Sequence, residues 1–209
     1  MKRVRGPQKL FKGPTLPGVI QTVSIGEGTG TYLIGRARKF PERSYLAVDP
    51  RYGLGMTGYV DPELLTLAGV KVSPKKIVEA MEDLIAKGTR VRHFNFDMPD
   101  VRPLKAASAH GAPDLAHANR RYGLNSIFEK AKSLLLPNGT ITVRSEHPQL
   151  LGLLSSLAKT HGFHVGKRKL ENTIAMKERT TFTLHFASRI YKVRFVLHPR
   201  KAIPFGRKA

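Results

Sequence analysis

A glycine-rich turn between two apolar segments constrains the fold of this chain more than any other feature. Residues 19–25 are mostly apolar and predict a buried strand. Three glycines follow this strand closely: Gly26, Gly28 and Gly30. The pattern then predicts a helix over 30–39 and a second apolar strand over 44–49, which ends on Asp49, 19 positions after Gly30. This order suits a nucleotide-like ligand, because glycine lets the backbone approach the ligand and a carboxylate accepts hydrogen bonds from ribose hydroxyls.

The spacing of the glycines distinguishes between classes of nucleotide-binding turn. A dinucleotide-binding turn needs glycine or alanine at the third position after its second glycine, and Thr31 at that position is too large. The spacing Gly26-x-Gly28-x-Gly30 instead resembles motif I of the class I methyltransferases, which use S-adenosylmethionine. The resemblance implies a Rossmann-like α/β sandwich with S-adenosylmethionine as the cofactor. The positions that it assigns to the cofactor are Gly26, Glu27, Gly28, Gly30 and Asp49.

The rest of the chain predicts an α/β fold with a mostly parallel sheet and a C-terminal antiparallel hairpin. Ser73 is a natural N-cap and predicts a helix over 73–88, and the region between Asp49 and Asn125 is expected to lack one strand–helix unit. Strands are also predicted over 91–96 and 140–143, helices from Asn125 and over 148–161, and the hairpin over 180–187 and 190–197. The expected organisation is a basic N-terminal arm over 1–18, a methyltransferase-like domain over 19–197 and a basic C-terminal tail over 198–209.

Later segments extend the resemblance to about residue 197. Residues 134–143 resemble the LKPGG turn and the strand after it in class I methyltransferases. Residues 93–100 and 117–122 are similar to the NFPDPW region and the following basic segment of the tRNA guanine-N7 methyltransferases. This likeness implies transfer of a methyl group to RNA.

Three polar residues lie near the carboxyl end of the predicted strand over 91–96: Asn95, Asp97 and Asp100. Parallel α/β sheets bind ligands at this rim, and methyl transfer to a base nitrogen needs an acceptor that orients or deprotonates the base. We therefore treat the three as candidate catalytic residues. The alternative is that Asp97 and Asp100 only form a turn, since Asp-x-Pro-Asp is a typical turn sequence.

Three features depart from the family pattern. Ser24 replaces the acid that the family usually has two positions before the first glycine, where that acid helps to hold the methionine ammonium group. Glu27 would face the cofactor's carboxylate, and two like charges at close range are unfavourable. The tryptophan of the NFPDPW region is absent from the chain. These departures weaken the expectation of catalysis more than the expectation of the fold.

The charge of the chain indicates a polyanionic partner. Lys and Arg together number 36 against 15 Asp and Glu, which gives a formal net charge of +21. No acid precedes Glu27 and none follows Glu178, so both ends are purely basic. RNA selects for such ends through phosphate contacts and counterion release, whereas a solvated basic surface is the alternative. The predicted RNA-binding residues are Lys2, Arg3, Arg5, Lys9, Lys12, Arg120, Arg121, Tyr122, Arg200, Lys201, Arg207 and Lys208.

Several other classes of protein are disfavoured by composition. The chain has no cysteine, which excludes disulfides and cysteine-based zinc sites, and its histidines lack metal-ligand spacing. No apolar run approaches the ~20 residues of a membrane span. The N-terminal residues lack the apolar core of a secretory signal. The expected location is therefore the cytoplasm or an organelle matrix, without a metal or a membrane partner.

Two functions remain open. The first is an S-adenosylmethionine-dependent RNA methyltransferase that acts on tRNA or rRNA, which the glycines and Asp49 favour. The second is a catalytically silent protein of the same fold that binds RNA as a structural part of a ribonucleoprotein such as the ribosome, with ribosomal proteins as further partners. Basic ends rich in proline and glycine favour the second.

Overall fold

The computed structural model describes residues 18–26, 30–52, 62–97, 119, 122–145, 147–171 and 190–197. Strands and helices alternate along most of these residues. The strands are β1 Val19–Ile25, β2 Tyr45–Val48, β3 Val70–Ser73, β4 Arg90–Asp97, β5 Leu135–Ser145, β6 Phe163–Val165, β7 Lys169–Glu171 and β8 Ile190–Leu197. The helices are α1 Thr31–Lys39, α2 Pro62–Leu67, α3 Ile77–Ala86, α4 Leu124–Leu134 and α5 Pro148–Thr160.

All of these strands join one mixed sheet. Its strand order is β3-β2-β1-β4-β5-β8-β6, with β7 also paired to β8. The pairs from β3 to β5 are parallel, and β8 runs antiparallel to β5, β6 and β7. The chain moves outward from β1 to β3 and then returns to β4 on the other side of β1. The carboxyl edge between β1 and β4 is therefore the switch point at which sheets of this kind bind ligands.

Alternating apolar side chains build a core on each face of the sheet. The main core packs Val23, Phe94, Ile141 and Phe195 of the central strands against α3, α4 and α5. A smaller core on the opposite face joins α1 and α2 to β2 and β3 through Leu33, Ala37, Tyr45, Ala47, Leu65 and Val70. The result is a three-layer α/β sandwich, which confirms the predicted fold class.

The region between Asp49 and Asn125 differs from the prediction. It is not one strand–helix unit short, because α2 and β3 occupy part of it. Ser73 is the last residue of β3 rather than a helix N-cap, and its carbonyl oxygen accepts the Asp49 N–H at 3.2 Å. Helix α3 begins at Ile77, with Lys76 as its N-cap. The four residues of β3 are too few to show a period in sequence, and pairing with β2 makes them a strand.

The C-terminal strand agrees with the prediction over 190–197 and pairs antiparallel with β5. It also pairs with β6 and β7, two strands of three residues each that were not predicted. The predicted partner strand over 180–187 lies outside the described residues. None of the described helices is long and apolar enough to cross a membrane.

Candidate functional site

The turn after β1 depends on glycine at two positions. Gly26 has a φ of 73° and donates its N–H to the carbonyl oxygen of Val48 at 3.1 Å, which ties the turn to the end of β2. Gly30 is buried, has a φ of 67° and is the N-cap of α1. Because a Cβ atom disfavours this left-handed region, a side chain at either position would strain the turn. The turn therefore brings the start of α1 to the carboxyl edge of the sheet.

The acid after β2 is buried and bonded to a cation of its own chain. Asp49 is 0% exposed. Arg51 donates Nε to Oδ1 at 2.9 Å and Nη2 to Oδ2 at 3.0 Å, and its backbone N–H donates to Oδ1 at 3.0 Å. This bidentate pair compensates the charge of the carboxylate. A ribose that binds Asp49 would therefore compete with Arg51 for the same two oxygens.

A buried chain of hydrogen bonds crosses the switch point on the face opposite the main core. Asn95 donates Nδ2 to Ser24 Oγ at 3.1 Å, and Arg144 donates Nη1 to Asn95 Oδ1 at 2.6 Å. All three side chains are buried. The guanidinium carbon of Arg144 also lies 5.8 Å from the ring centroid of Tyr32 at the start of α1. Where the family has an acid, this chain thus has a neutral Ser24 that is linked through Asn95 to a cation.

The structure places four of the predicted site residues at this edge: Gly26, Gly30, Asp49 and Asn95. Asp97 is the last residue of β4 and pairs with Arg144 in the ladder to β5. Tyr122, predicted to contact RNA, is half-buried and packs against the main core. The other predicted residues lie outside the described ones: Glu27, Gly28, Asp100, Lys2, Arg3, Arg5, Lys9, Lys12, Arg120, Arg121, Arg200, Lys201, Arg207 and Lys208.

Two residues of the site, Arg51 and Arg144, were not predicted. Arg51 follows Asp49 by two positions, a spacing that lets an arginine fold back onto the carboxylate, so the sequence contained a signal for it. Arg144 stands alone as a charge in a largely apolar strand, which indicates a buried interaction but not its partner. That partner, Asn95, is 49 positions away on β4.

The chemistry available at this edge is polar recognition. The glycine turn permits close approach of the backbone, Asp49 provides carboxylate oxygens, and Asn95 and Arg144 provide an amide and a cation. Within the described part of the chain, no three histidine or acidic side chains are grouped so that they could hold a metal ion. These groups are suited to a ligand that carries hydroxyl groups and an anionic group.

Solved structures with a similar fold are methyltransferases and an RNA-processing protein. The precorrin-6y C5,15-methyltransferase of Geobacter metallireducens GS-15 has a TM-score of 0.53 and 13% identity, over 85% of this chain and 80% of that one. A mutant 16S rRNA (adenine(1408)-N(1))-methyltransferase from Catenulisporales acidiphilia, with the cosubstrate SAM, has a TM-score of 0.54 and 11% identity, over 87% of each chain. The Methanococcus jannaschii fibrillarin pre-rRNA processing protein has a TM-score of 0.55 and 8% identity, over 90% of this chain and 71% of that one.

Comparison of sequences gives no corresponding match. No family model matches the chain, and no curated protein matches it. At identities of 8% to 13%, the structural likenesses establish the fold alone. With its order β3-β2-β1-β4-β5-β8-β6 and its antiparallel β8, the chain has the Rossmann-like fold of the class I methyltransferases.

Proposed function

We propose that this protein is an S-adenosylmethionine-dependent methyltransferase that acts on tRNA or rRNA. The observation that carries the proposal is the convergence of the glycine turn, Asp49 and Asn95 at the edge where the strand order reverses. Parallel α/β sheets bind nucleotide-like ligands at this edge. Structures of the same fold support the choice of cofactor, because one of them contains SAM.

The residues at the edge fit this cofactor in part. The turn over 26–30 would let the cofactor approach the backbone, and Asp49 would accept hydrogen bonds from the ribose. Because Arg51 already engages both oxygens of Asp49, binding would require its guanidinium to turn aside. When bound, S-adenosylmethionine supplies an electrophilic methyl group.

The proposed catalytic residues have distinct roles. Asn95 is buried and bonded to both Ser24 and Arg144, so we assign it a positioning role. Asp97 and Asp100 would orient or deprotonate the base nitrogen that accepts the methyl group. Most of the rate enhancement would come from holding the acceptor in line with the methyl group, which needs little further chemistry from the protein.

The charge of the chain favours RNA over a small metabolite as the substrate. A net charge of +21 creates a field that attracts a polyanion, and a small substrate has no need of it. The fold does not make this choice, since a precorrin methyltransferase and a 16S rRNA methyltransferase share it. In this proposal the basic residues of 1–12, 120–121 and 199–209 contact RNA phosphates. The likeness of 93–100 and 117–122 to the tRNA guanine-N7 methyltransferases makes tRNA one of the two candidate substrates.

A catalytically silent RNA-binding protein is the second candidate, and a specific observation favours it. The bidentate contact between Arg51 and Asp49 has the geometry of a structural ion pair in the position of the ribose-binding acid. Ser24 and Glu27 also depart from the residues that hold the cofactor in the family. In this role the protein would bind RNA as a component of a ribonucleoprotein such as the ribosome.

Calorimetry with S-adenosylmethionine, on protein freed of RNA, tests the two candidates. Transfer of a labelled methyl group to tRNA and to rRNA, assayed separately, then identifies the substrate. The enzyme is expected to bind the cofactor, and Asp97→Asn should abolish methyl transfer while cofactor binding persists. Asp83→Asn on α3 is the matched control and should retain activity. Tight RNA binding without cofactor binding would contradict the enzyme and support the structural role.

A further inference from the structure

The face of the sheet opposite the main core is polar across its central strands. Side chains alternate along a strand, so the register of the ladders fixes which of them share a face. On this face the strands β1, β4, β5 and β8 carry a continuous set of polar residues: Thr22, Ser24, His93, Asn95, Thr140, Thr142, Arg144, Lys192 and Arg194.

Four cations converge at the centre of this face. Arg144 and Lys192 stand opposite each other in the ladder between β5 and β8, and Arg194 lies two positions further along β8. Arg36 approaches from α1: its guanidinium carbon lies 6.0 Å from the ring centroid of Tyr32, and that of Arg144 lies 5.8 Å from the same centroid. Two guanidinium groups from distant elements therefore border one ring.

His93 lies among these cations and responds to their charge. Its ring is half-buried, and Nδ1 lies 2.6 Å from Thr140 Oγ1. The pKa of His93 is lowered to about 3, first by burial and then by the charges of Arg194, Arg144, Arg36 and Lys192. The imidazole therefore stays neutral at physiological pH, and the positive charge of the face comes from the four cations.

Arg36 contributes a buried donor that lacks an acceptor. Its Nε is buried and has no hydrogen-bond partner among the described residues. Its guanidinium packs over the rings of Tyr32 and Phe40, which fix its position but leave that donor unsatisfied. Buried donors are nearly always paired, so an unpaired one beside other cations indicates an anionic acceptor.

The positive charge of this face extends to the edge of the sheet. Lys169 of β7 is exposed and stands opposite Lys192, and like charges in that position destabilise a sheet unless an anion bridges them. By register, two acids border the face: Asp97 opposite Arg144, and Glu171 at the end of β7. Cations therefore outnumber acids along the described part of the face.

We propose that this face binds a phosphate of the RNA backbone in a site formed by four cations: Arg36, Arg144, Lys192 and Arg194. Guanidinium groups match the geometry of a phosphate and bind it through paired N–H donors. Arg194 is exposed and Lys192 half-buried, so an RNA strand can continue from the site toward Lys169. The inference rests on the proposed function for its RNA partner and is independent of methyl transfer.

Titration with inorganic phosphate tests the anion site directly. The ring resonances of His93 are followed by NMR in protein stripped of RNA, while the pH is lowered within the range of the folded state. A bound phosphate places negative charge beside the ring, facing Arg36 from α1, Arg144 from β5, and Lys192 and Arg194 from β8. It should therefore raise the pKa of His93 by about one unit or more. Resonances that do not respond to saturating phosphate would overturn the site.

Variants of two cations test whether RNA is the occupant. Arg36→Gln and Arg194→Gln should each lower the slope of log affinity against log salt by about 0.7–0.9, the effect of one lost phosphate contact. Arg38→Gln removes the same charge from an exposed position on α1 and should leave the slope unchanged. Arg36→Lys keeps the charge but lacks the planar fork, so it should retain the slope with weaker affinity. Thermal melting of each variant verifies that it is folded.

Each remaining outcome has one meaning. If phosphate binds but neither Arg36→Gln nor Arg194→Gln changes RNA affinity, the site takes a free phosphate or a nucleotide and the RNA assignment is overturned. Protein that binds RNA through Arg36 but binds no S-adenosylmethionine retains this inference and loses the methyltransferase proposal. Protein that binds the cofactor but no RNA keeps the cofactor assignment and loses this inference.

Discussion

Arg51 is bonded to both carboxylate oxygens of Asp49, so the charge of this buried acid is compensated within the chain. The pair also gives Asp49 a role in stability, since a buried carboxylate without a partner is strongly unfavourable. Ligand binding at this position therefore involves an exchange of partners. The affinity for an adenosyl ligand should depend on Arg51 as well as on Asp49.

Substitution of the pair should shift ligand affinity in opposite directions. Asp49→Ala should weaken S-adenosylmethionine binding by roughly 1–3 kcal/mol, because buried hydrogen bonds to the ribose are lost. Arg51→Gln should strengthen binding, because the competing guanidinium is gone. Calorimetry measures both, with unfolding curves to confirm that each variant is folded. Equal affinity in the wild type and Asp49→Ala would show that the ligand sits elsewhere.

His93 should make the stability of the fold depend on pH. Its pKa is lowered to about 3, by burial and then by Arg194, Arg144, Arg36 and Lys192. The unfolded chain binds a proton near pH 6.5 and the folded chain does not, so its contribution is full above about pH 6.5 and is lost as the pH falls toward about 3. The loss should approach about 1.4 kcal/mol per pH unit.

Denaturant unfolding at several pH values measures this dependence. His93→Gln keeps a hydrogen-bonding side chain beside Thr140 but cannot titrate, so the variant should lose less stability than the wild type as the pH falls. Parallel curves for the two proteins would show that His93 does not cause the dependence.

At the scale of elements, the start of α4 is fitted closely against α3. Gly123 is the N-cap of α4 with a φ of 62°, and a Cβ atom there would lie 2.7 Å from Val78 Cγ2 and 3.2 Å from Ser126 Oγ. Its carbonyl oxygen accepts the N–H groups of Ser126 and Ile127 at 2.9 and 3.2 Å. Any side chain at this position would both strain the backbone and displace α3.

Gly123→Ala should therefore destabilise the fold by about 1–3 kcal/mol, from its left-handed backbone and the contact with Val78. Gly152→Ala is the matched control, because Gly152 lies in the exposed interior of α5 with nothing within 4 Å of an added Cβ. The control should stabilise the protein by about 0.5–1 kcal/mol through higher helix propensity. Chemical denaturation compares the two, and equal effects would contradict the packing described here.

At the scale of the whole molecule, the net charge of +21 can act through the two ends or through the folded body. Deletion of residues 1–12 and 199–209 should flatten the dependence of RNA affinity on salt, by about 0.7–0.9 in slope for each lost phosphate contact. Fluorescence anisotropy with a labelled RNA over a range of salt concentrations gives the slope. A full slope in the truncated protein would assign the phosphate contacts to the body, including the face around Arg36.

Long periodic segments were predictable because they carry their own signal. The bounds of β1 at 19–25 and β8 at 190–197 agree with the prediction, and those of α1 and α5 differ by one residue. The short strands β3, β6 and β7 were missed, because three or four residues show no period. Their neighbours in the sheet make them strands: β2 for β3, and β8 for the other two.

The sequence by itself determined the fold class and the place of the glycine turn, since hydrophobic periodicity and a demand for left-handed glycine are local properties. Only the tertiary structure decided the electrostatics of the site. It linked Asn95 to Arg144 across 49 positions, and it placed Arg36 beside β5 and β8. Contacts of this kind depend on which strands become neighbours and in which register, and no local pattern in the chain encodes that.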